Sequence, residues 1–136
     1  MFEGWVEGER KAELLREASL FALPSHHENF GMSLAEALSC GVPVVVSPHV
    51  QLADAVLDSQ SGWVSDLSVD ALAGTLREAM SSPGLLHKRS EAAKRLGQTF
   101  SPAIVARQLV ELYERIGVHA ATVRPPATIS VATSAK

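Results

Sequence analysis

Residues 20–46 have the sequence LFALPSHHENFGMSLAEALSCGVPVVV. A short apolar run ends at Pro24, a helix-forming segment covers 32–39, and a run of valines begins at Val44. A β-branched run without alternating polar residues is typical of a strand buried on both faces, as at the centre of a parallel sheet. The stretch therefore predicts a strand, a loop, a helix capped by Gly41 and a second strand.

Strand and helix patterns also alternate on both sides of this stretch. Further strands are predicted at 1–6 and 62–64, and further helices at 8–18, at 52–57, between Ser68 and Ser82, at 85–96 and at 102–116. The alternation indicates an α/β fold, a partial Rossmann-like parallel sheet flanked by helices. We expect one domain over residues 1–117 and a disordered tail over 118–136, where no apolar period is visible.

Apolar residues at helical spacing predict stripes that pack inward on two of the later helices. The stripes consist of Val69, Leu72, Leu76 and Met80 in one helix and of Val105, Leu109, Leu112 and Ile116 in the other. Trp5 and Trp63 are expected to pack in the core or at its edge, and Phe30 to anchor its loop there. The single cysteine, Cys40, is expected to be a small buried residue in a reducing compartment, with a reactive thiol as the alternative.

The charge of the chain limits its partners. The formal net charge is -3 over 136 residues, which argues against nucleic acid as a partner. No Lys or Arg occurs between Arg16 and Arg77, while several acidic residues do. No apolar run approaches the roughly 20 residues of a membrane span, and no signal peptide is visible. We expect a cytoplasmic protein without a transmembrane segment, with peripheral membrane association left open.

The loop and helix of residues 23–38 are the expected ligand site, because ligands of parallel α/β sheets bind where strands end. Gly31 lets a ligand approach the backbone, and the amides at the helix start favour an anion. Glu28 and Glu36 would lie about 12 Å apart along a helix. Retaining glycosidases hold their two carboxyl groups only about 5 Å apart. The spacing instead suits one extended ligand, with a ribose at Glu36, a sugar at Glu28 and phosphates on the amides between them.

Simpler interpretations of these residues stay open. Both glutamates could be ordinary solvated side chains. His26, His27 and Glu28 form a conceivable metal cluster, but adjacent histidines point in different directions in most backbones, and no further ligand stands at a suitable spacing. No metal site is therefore predicted.

Six short segments follow one another along the chain. They are Phe2–Val6, Leu20–Ser25, the E-x7-E pattern from Glu28 to Glu36, Gly41–Val45, Gly62–Val64 and the helix end Leu109–Tyr113. This series resembles the motifs of retaining, nucleotide-sugar-dependent glycosyltransferases of group 1, also called family 4, which have the GT-B fold. The chain is identified as a portion of the C-terminal, donor-binding domain of such an enzyme.

The resemblance implies hexosyl transfer with retention from a UDP- or GDP-linked sugar, without a metal or other cofactor. Glu36 would hold the ribose hydroxyls, and Glu28, the catalytic candidate, would hold a hydroxyl of the transferred sugar. The same donor site would include Asn29, the backbone amides around Phe30, Gly31 and Met32, and Leu34 beside the nucleoside.

The resemblance also implies that parts of the site lie elsewhere. Family members neutralise the diphosphate with an Arg and a Lys from upstream segments and use a whole N-terminal domain. We therefore expect this chain to need a missing N-terminal half or a partner chain, and not to turn over alone. The loop 48–54 departs from the Gly-Gly and Glu pattern that many family members carry, and Asp54 would stand in for the acid.

In the doubly wound strand order 3-2-1-4-5-6, this chain would supply strands 3 to 6. The strand at 20–23 would then be an unpaired, apolar edge, which invites pairing with another chain. We therefore expect the isolated chain to self-associate or to be prone to aggregation. The alternative function is a non-catalytic interaction module that pairs through this edge.

Overall fold

The computed structural model describes residues 3–117. The elements in chain order are α1 (Gly8–Glu17), β1 (Phe21–Leu23), α2 (Met32–Ser39), β2 (Val44–Val46), α3 (Ala53–Ser59), β3 (Gly62–Val64), α4 (Val69–Ser81), α5 (Pro83–Gln98) and α6 (Pro102–Arg115). The strands form a parallel sheet in the order β1-β2-β3, which pairs Phe21 with Val44 and Val44 with Gly62. The predicted α/β architecture is confirmed.

The sheet is covered on both faces, as the valine run predicted. Val44 and Val46 pack with α2, α3 and α5 in one buried cluster. Val45 points the other way and packs with Trp63 and with Ala79 of α4. All three valines of β2 are almost completely buried, and Trp63 is a core residue as expected.

Helix α5 lies against α2 at a very short distance, because Gly97 has no side chain. A Cβ atom at Gly97 would fall 2.5 Å from the Cα of Ser39. Ser39 Oγ donates hydrogen bonds to the carbonyls of Ala35 at 2.8 Å and of Gly97 at 3.3 Å. The helix that carries the candidate site is therefore fixed to the body of the fold by main-chain contact.

Arg89 ties α5 to the edge strand β3. Its guanidinium lies 4.1 Å from the centre of the Trp63 ring, and its Nη1 donates to the carbonyl of Gly62. Trp63 Nε1 in turn donates to Glu78 at 3.3 Å. Burial lowers the pKa of Arg89 and Glu78 opposes this, but a guanidinium keeps its charge in proteins. The group therefore acts as a cation stacked on an indole.

The strand predicted at residues 1–6 is wrong over residues 3–6, the part of it that the structure describes. Residues 3–6 form no strand, and Gly4 has a φ of +72°, in the left-handed region that breaks an extended run. Trp5 is 90% exposed rather than packed. Residues 1 and 2 and the predicted disordered tail, 118–136, lie outside the described residues.

Three burial predictions are also wrong. Val69 and Met80 at the ends of the α4 stripe are 83% and 68% exposed, because α4, about 20 Å long, overruns three-residue strands of about 10 Å. Cys40 is exposed in the turn after α2. No residue of α6 is buried, and all four residues of its predicted stripe are at least 40% exposed.

Serine hydroxyls cap the last three helices. Ser68 caps α4, Ser82 caps α5 and Ser101 caps α6, each by accepting a hydrogen bond from a main-chain amide. Pro83 begins α5 directly after its cap, a position that favours proline. None of the helices between residues 3 and 117 is long and apolar enough to cross a membrane.

Candidate functional site

Two loops at the carboxyl end of the sheet are joined to each other. The amide of Glu28 donates to the carbonyl of His49 at 3.4 Å, and the amide of Gln51 donates to the carbonyl of Glu28 at 3.2 Å. Ser47 Oγ donates to the carbonyl of Ser25 near the roots of the same loops. The backbone of Glu28 is thus fixed by the loop that follows β2, although 20 or more residues separate them in sequence.

Helix α2 begins directly after this anchored loop. Gly31 precedes it with φ 72° and ψ 66°, a left-handed conformation that glycine adopts at little cost. A Cβ at this position would lie 3.3 Å from the Cβ of Leu34 and 3.4 Å from the Cγ of Glu28. No side chain caps the start of α2, so its first amides remain available to an anion.

Glu36 lies one turn into α2, on the side that faces α1. Lys11 Nζ donates to Glu36 Oε1 at 2.7 Å. The two side chains line a mostly apolar cleft of about 360 Å³ between α1, α2 and the segment around Phe100. The cleft is also lined by Ala12, Leu15, Met32, Ala35, Ser39, Cys40 and Pro102.

The seven predicted site residues fall into three groups, of which the first, Gly31 and Leu34, is buried. Glu28 and Glu36 are half-buried, and Asn29, Phe30 and Met32 are exposed. Phe30 is 41% exposed and packs edge-on against Phe100 with ring centres 5.5 Å apart. It contacts Phe100 but lies at the surface, so the prediction that Phe30 anchors its loop in the core is wrong.

Leu34 requires a correction. Its side chain is completely buried and belongs to the cluster beneath α2. It cannot border a nucleoside, because it points towards the sheet. Met32, by contrast, is 66% exposed and lines the cleft.

Lys11 is a residue of the candidate site that was not predicted from the sequence. The acidic interval after Arg16 suggested that no cation lies near the motif, but α1 carries Lys11 back to it. A weak signal existed, since Lys11 precedes Leu15 by one helical turn and therefore shares its inward face. The electrostatics of the site thus include one cation from outside the motif.

The other polar candidates stay apart. His26 and His27 are exposed, and the described residues bring no three His, Cys, Asp or Glu side chains into a group that could hold a metal ion. Asp54 is exposed in the first turn of α3.

Comparisons with known proteins agree on one family. The protein-family model described as "Glycosyl transferases group 1" matches residues 1–96 of this chain. A glycogen synthase of Mycobacterium tuberculosis is 32% identical over 114 residues, which are 82% of this chain and 28% of that protein. A D-inositol 3-phosphate glycosyltransferase of Rhodococcus erythropolis is 32% identical over 112 residues, 82% of this chain and 25% of that protein.

Solved structures show the same fold. Sucrose-phosphate synthase from Thermosynechococcus elongatus superposes with a TM-score of 0.76 at 25% identity, over 85% of this chain and 30% of that one. WaaG, a glycosyltransferase involved in lipopolysaccharide biosynthesis, has a TM-score of 0.67 at 24% identity, over 79% of this chain and 30% of that one. The chain thus spans between a quarter and a third of the length of these proteins.

Proposed function

Because the chain belongs to the group 1 glycosyl transferases, we propose that it supplies the acidic side of a nucleotide-sugar donor site for retaining glycosyl transfer. Its parallel sheet and flanking helices match GT-B glycosyltransferase structures. The whole reaction needs groups that this portion does not carry, since family members draw basic and acceptor-binding residues from other segments. Activity is therefore proposed for the larger assembly and donor binding for this chain.

One observation carries the proposal. Glu28 packs against Gly31, where the free amides of α2 begin, and Glu36 follows on the same helix. A diphosphate placed on those amides would have a carboxylate at each end of it. Carboxylates accept hydrogen bonds from hydroxyls, so Glu28 would hold the sugar and Glu36 the ribose.

The cleft beside Glu36 would hold the nucleoside of the donor. Its lining is mainly apolar, with Leu15, Met32 and Phe100 among the side chains, and such surfaces suit the faces of a nucleobase. The base would then lie between α1 and α2, with its ribose over Glu36. This arrangement gives Met32 the role that the resemblance assigned to Leu34.

Glu28 would act on the donor by binding rather than as one of two paired carboxyl groups. Glu36 lies eight residues further along the chain, one turn into α2, whereas Glu28 lies in the loop before that helix. A retaining glycosidase pair needs about 5 Å. A hydroxyl bound by Glu28 would fix the sugar relative to the diphosphate, so that the bond to the leaving phosphate is presented to the acceptor.

The test is donor binding by the chain itself. Glu36→Gln is expected to weaken the binding of UDP or GDP, whichever binds, about tenfold, because a hydrogen bond to a charged group contributes about 1.5 kcal/mol. Calorimetric titration measures this, and Glu17→Gln, at the exposed end of α1, is the matched control. An unchanged affinity in Glu36→Gln contradicts the ribose role, and no binding of either nucleotide to the wild type contradicts the donor site.

A second candidate function is favoured by two exposed surfaces. Among residues 3–117, β1 has a hydrogen-bonded strand on one side only, and its Ala22 is exposed. The apolar side of α6 is also exposed, with Leu109 at 46% and Ile116 at 60%. Either surface would serve an interaction module, and we assign the pairing with another chain to the β1 edge.

We expect the isolated chain to self-associate through the β1 edge, because unpaired strands present a row of free donors and acceptors. Sedimentation velocity at several concentrations is expected to show a concentration-dependent increase in size. Ala22→Lys should reduce it, while Leu109→Lys on α6 should leave it unchanged. A sharp monomer at all concentrations, or loss of association only in Leu109→Lys, contradicts pairing through this edge.

A further inference from the structure

Lys11 and Glu36 join two helices that the donor motif alone does not connect. Lys11 belongs to α1, outside the E-x7-E pattern, and its Nζ donates to Glu36 Oε1 at 2.7 Å across 25 residues of sequence. We propose that Lys11 is a positioning residue, which holds the Glu36 carboxylate in the orientation that recognises the paired hydroxyls of a ribose. The inference rests on the proposed function.

The ion pair is poorly suited to a purely stabilising role. The side chains of Lys11 and Glu36 are 42% and 37% exposed, and exposed pairs contribute between about 0 and 1 kcal/mol to stability. A glutamate on a helix surface has several accessible rotamers, and a neighbouring donor selects among them. The larger effect of Lys11 is therefore on where the carboxylate points.

The carboxylate keeps capacity for a ligand while Lys11 is bound. Its two oxygens offer about four acceptor sites, and Lys11 uses one of them. Within residues 3–117, Lys11 is the only group that donates a side-chain hydrogen bond to Glu36. Both residues line the same cleft, so the remaining acceptor sites can meet two adjacent hydroxyls of a ligand there.

Lys11 also stands on a fixed support. Leu15, one turn further along α1, packs against the buried cluster beneath α2. The neighbouring Arg10 points elsewhere and pairs with Glu3 at 3.2 Å and Glu13 at 3.4 Å. Arg10 thus provides a matched control, because its removal takes the same charge from α1 without touching Glu36.

The experiment compares a ribonucleotide with its 2′-deoxy counterpart. Dissociation constants of UDP and 2′-deoxy-UDP, and of GDP and 2′-deoxy-GDP, are measured by NMR titration of the whole chain. The wild type is expected to prefer the ribonucleotide about tenfold, as one charge-assisted hydrogen bond provides. Glu36→Gln and Lys11→Met should both reduce this preference to about twofold or less.

The remaining variants distinguish an effect on the orientation of the Glu36 carboxylate from an effect of the charge on α1 and from a loss of folding. Lys11→Arg should restore most of the preference, since it keeps a donor at the same place, and Arg10→Met should match the wild type. Thermal unfolding should shift by only a few degrees in Lys11→Met, so a loss of preference cannot be ascribed to an unfolded chain.

The outcomes distinguish a failure of the Lys11 inference from a failure of the proposed donor site. If Glu36→Gln loses the preference and Lys11→Met keeps it, Lys11 is not a positioning residue and the proposed donor site survives. If Arg10→Met loses as much as Lys11→Met, the effect is one of net charge and the inference is wrong. If the wild type binds neither nucleotide, or does not prefer the ribose form, the proposed function fails and the inference fails with it.

Discussion

Replacing Gly97 with alanine is expected to lower the free energy of unfolding by about 3 kcal/mol or more. The added Cβ would fall 2.5 Å from the Cα of Ser39 and closer still to the Leu38 carbonyl carbon and the Ser39 amide nitrogen. These are backbone atoms, which cannot turn aside as the end of a side chain can. Helix α5 would have to move away from α2, and the surrounding close-packed core would lose contacts.

Gly74→Ala is a control whose expected effect on the free energy of unfolding has the opposite sign. It lies in the interior of α4, and a Cβ there meets nothing within 4 Å. Because glycine is unfavourable inside a helix, Gly74→Ala is expected to raise stability by about 0.5–1 kcal/mol. Urea unfolding followed by circular dichroism measures both variants. Equal and small changes in the two would contradict a main-chain contact at Gly97.

Gly97→Ala should also affect the candidate ligand site. The carbonyl of Gly97 accepts a hydrogen bond from Ser39, which stands one turn beyond Ala35 and close to Glu36 on α2. Displacing α5 therefore disturbs the face of α2 that lines the cleft. The variant is expected to bind nucleotide more weakly even at temperatures where it remains folded.

The sequence was informative where its signals are local. The helix predicted at 32–39 is found at Met32–Ser39, and Gly41 ends it with a φ of +77° and an amide that donates to Leu38 at 2.9 Å. The valine run of β2 is almost completely buried. Strands β1 and β3 flank it within the sheet, and helices cover both faces of the sheet. Each of these features depends on a few consecutive residues.

Features that depend on distant segments were not predictable in the same way. Lys11 and Glu36 are both ordinary surface residues when considered singly, and only the packing of α1 on α2 brings them together. Whether Leu34 faces a ligand or the sheet depends on which side of α2 is covered. The stripe on α6 likewise indicates a side that favours burial, but does not specify what buries it.

Gly62 sets the distance between the central strand β2 and the edge strand β3. It pairs with Val44, and a Cβ at Gly62 would lie 2.6 Å from Val44 Cγ2, 2.9 Å from the Val44 carbonyl carbon and closer still to its oxygen. Its own carbonyl accepts from Arg89. A side chain here would push β3 away from β2 and also pull it from the Arg89 guanidinium.

Gly62→Ala is therefore expected to cost about 3 kcal/mol of stability, measured by urea unfolding. Tryptophan emission should shift to longer wavelength, because Trp63 is 6% exposed and Trp5, at 90%, gives a constant background. The double variant Val44→Ala with Gly62→Ala identifies the atoms that clash. If only Val44 Cγ2 interfered, adding Gly62→Ala to the Val44→Ala variant would cost no further stability, so the double variant is compared with Val44→Ala alone. Because the Val44 carbonyl remains in place, we expect no rescue, and a recovery would show that side-chain packing rather than strand spacing requires glycine at this position.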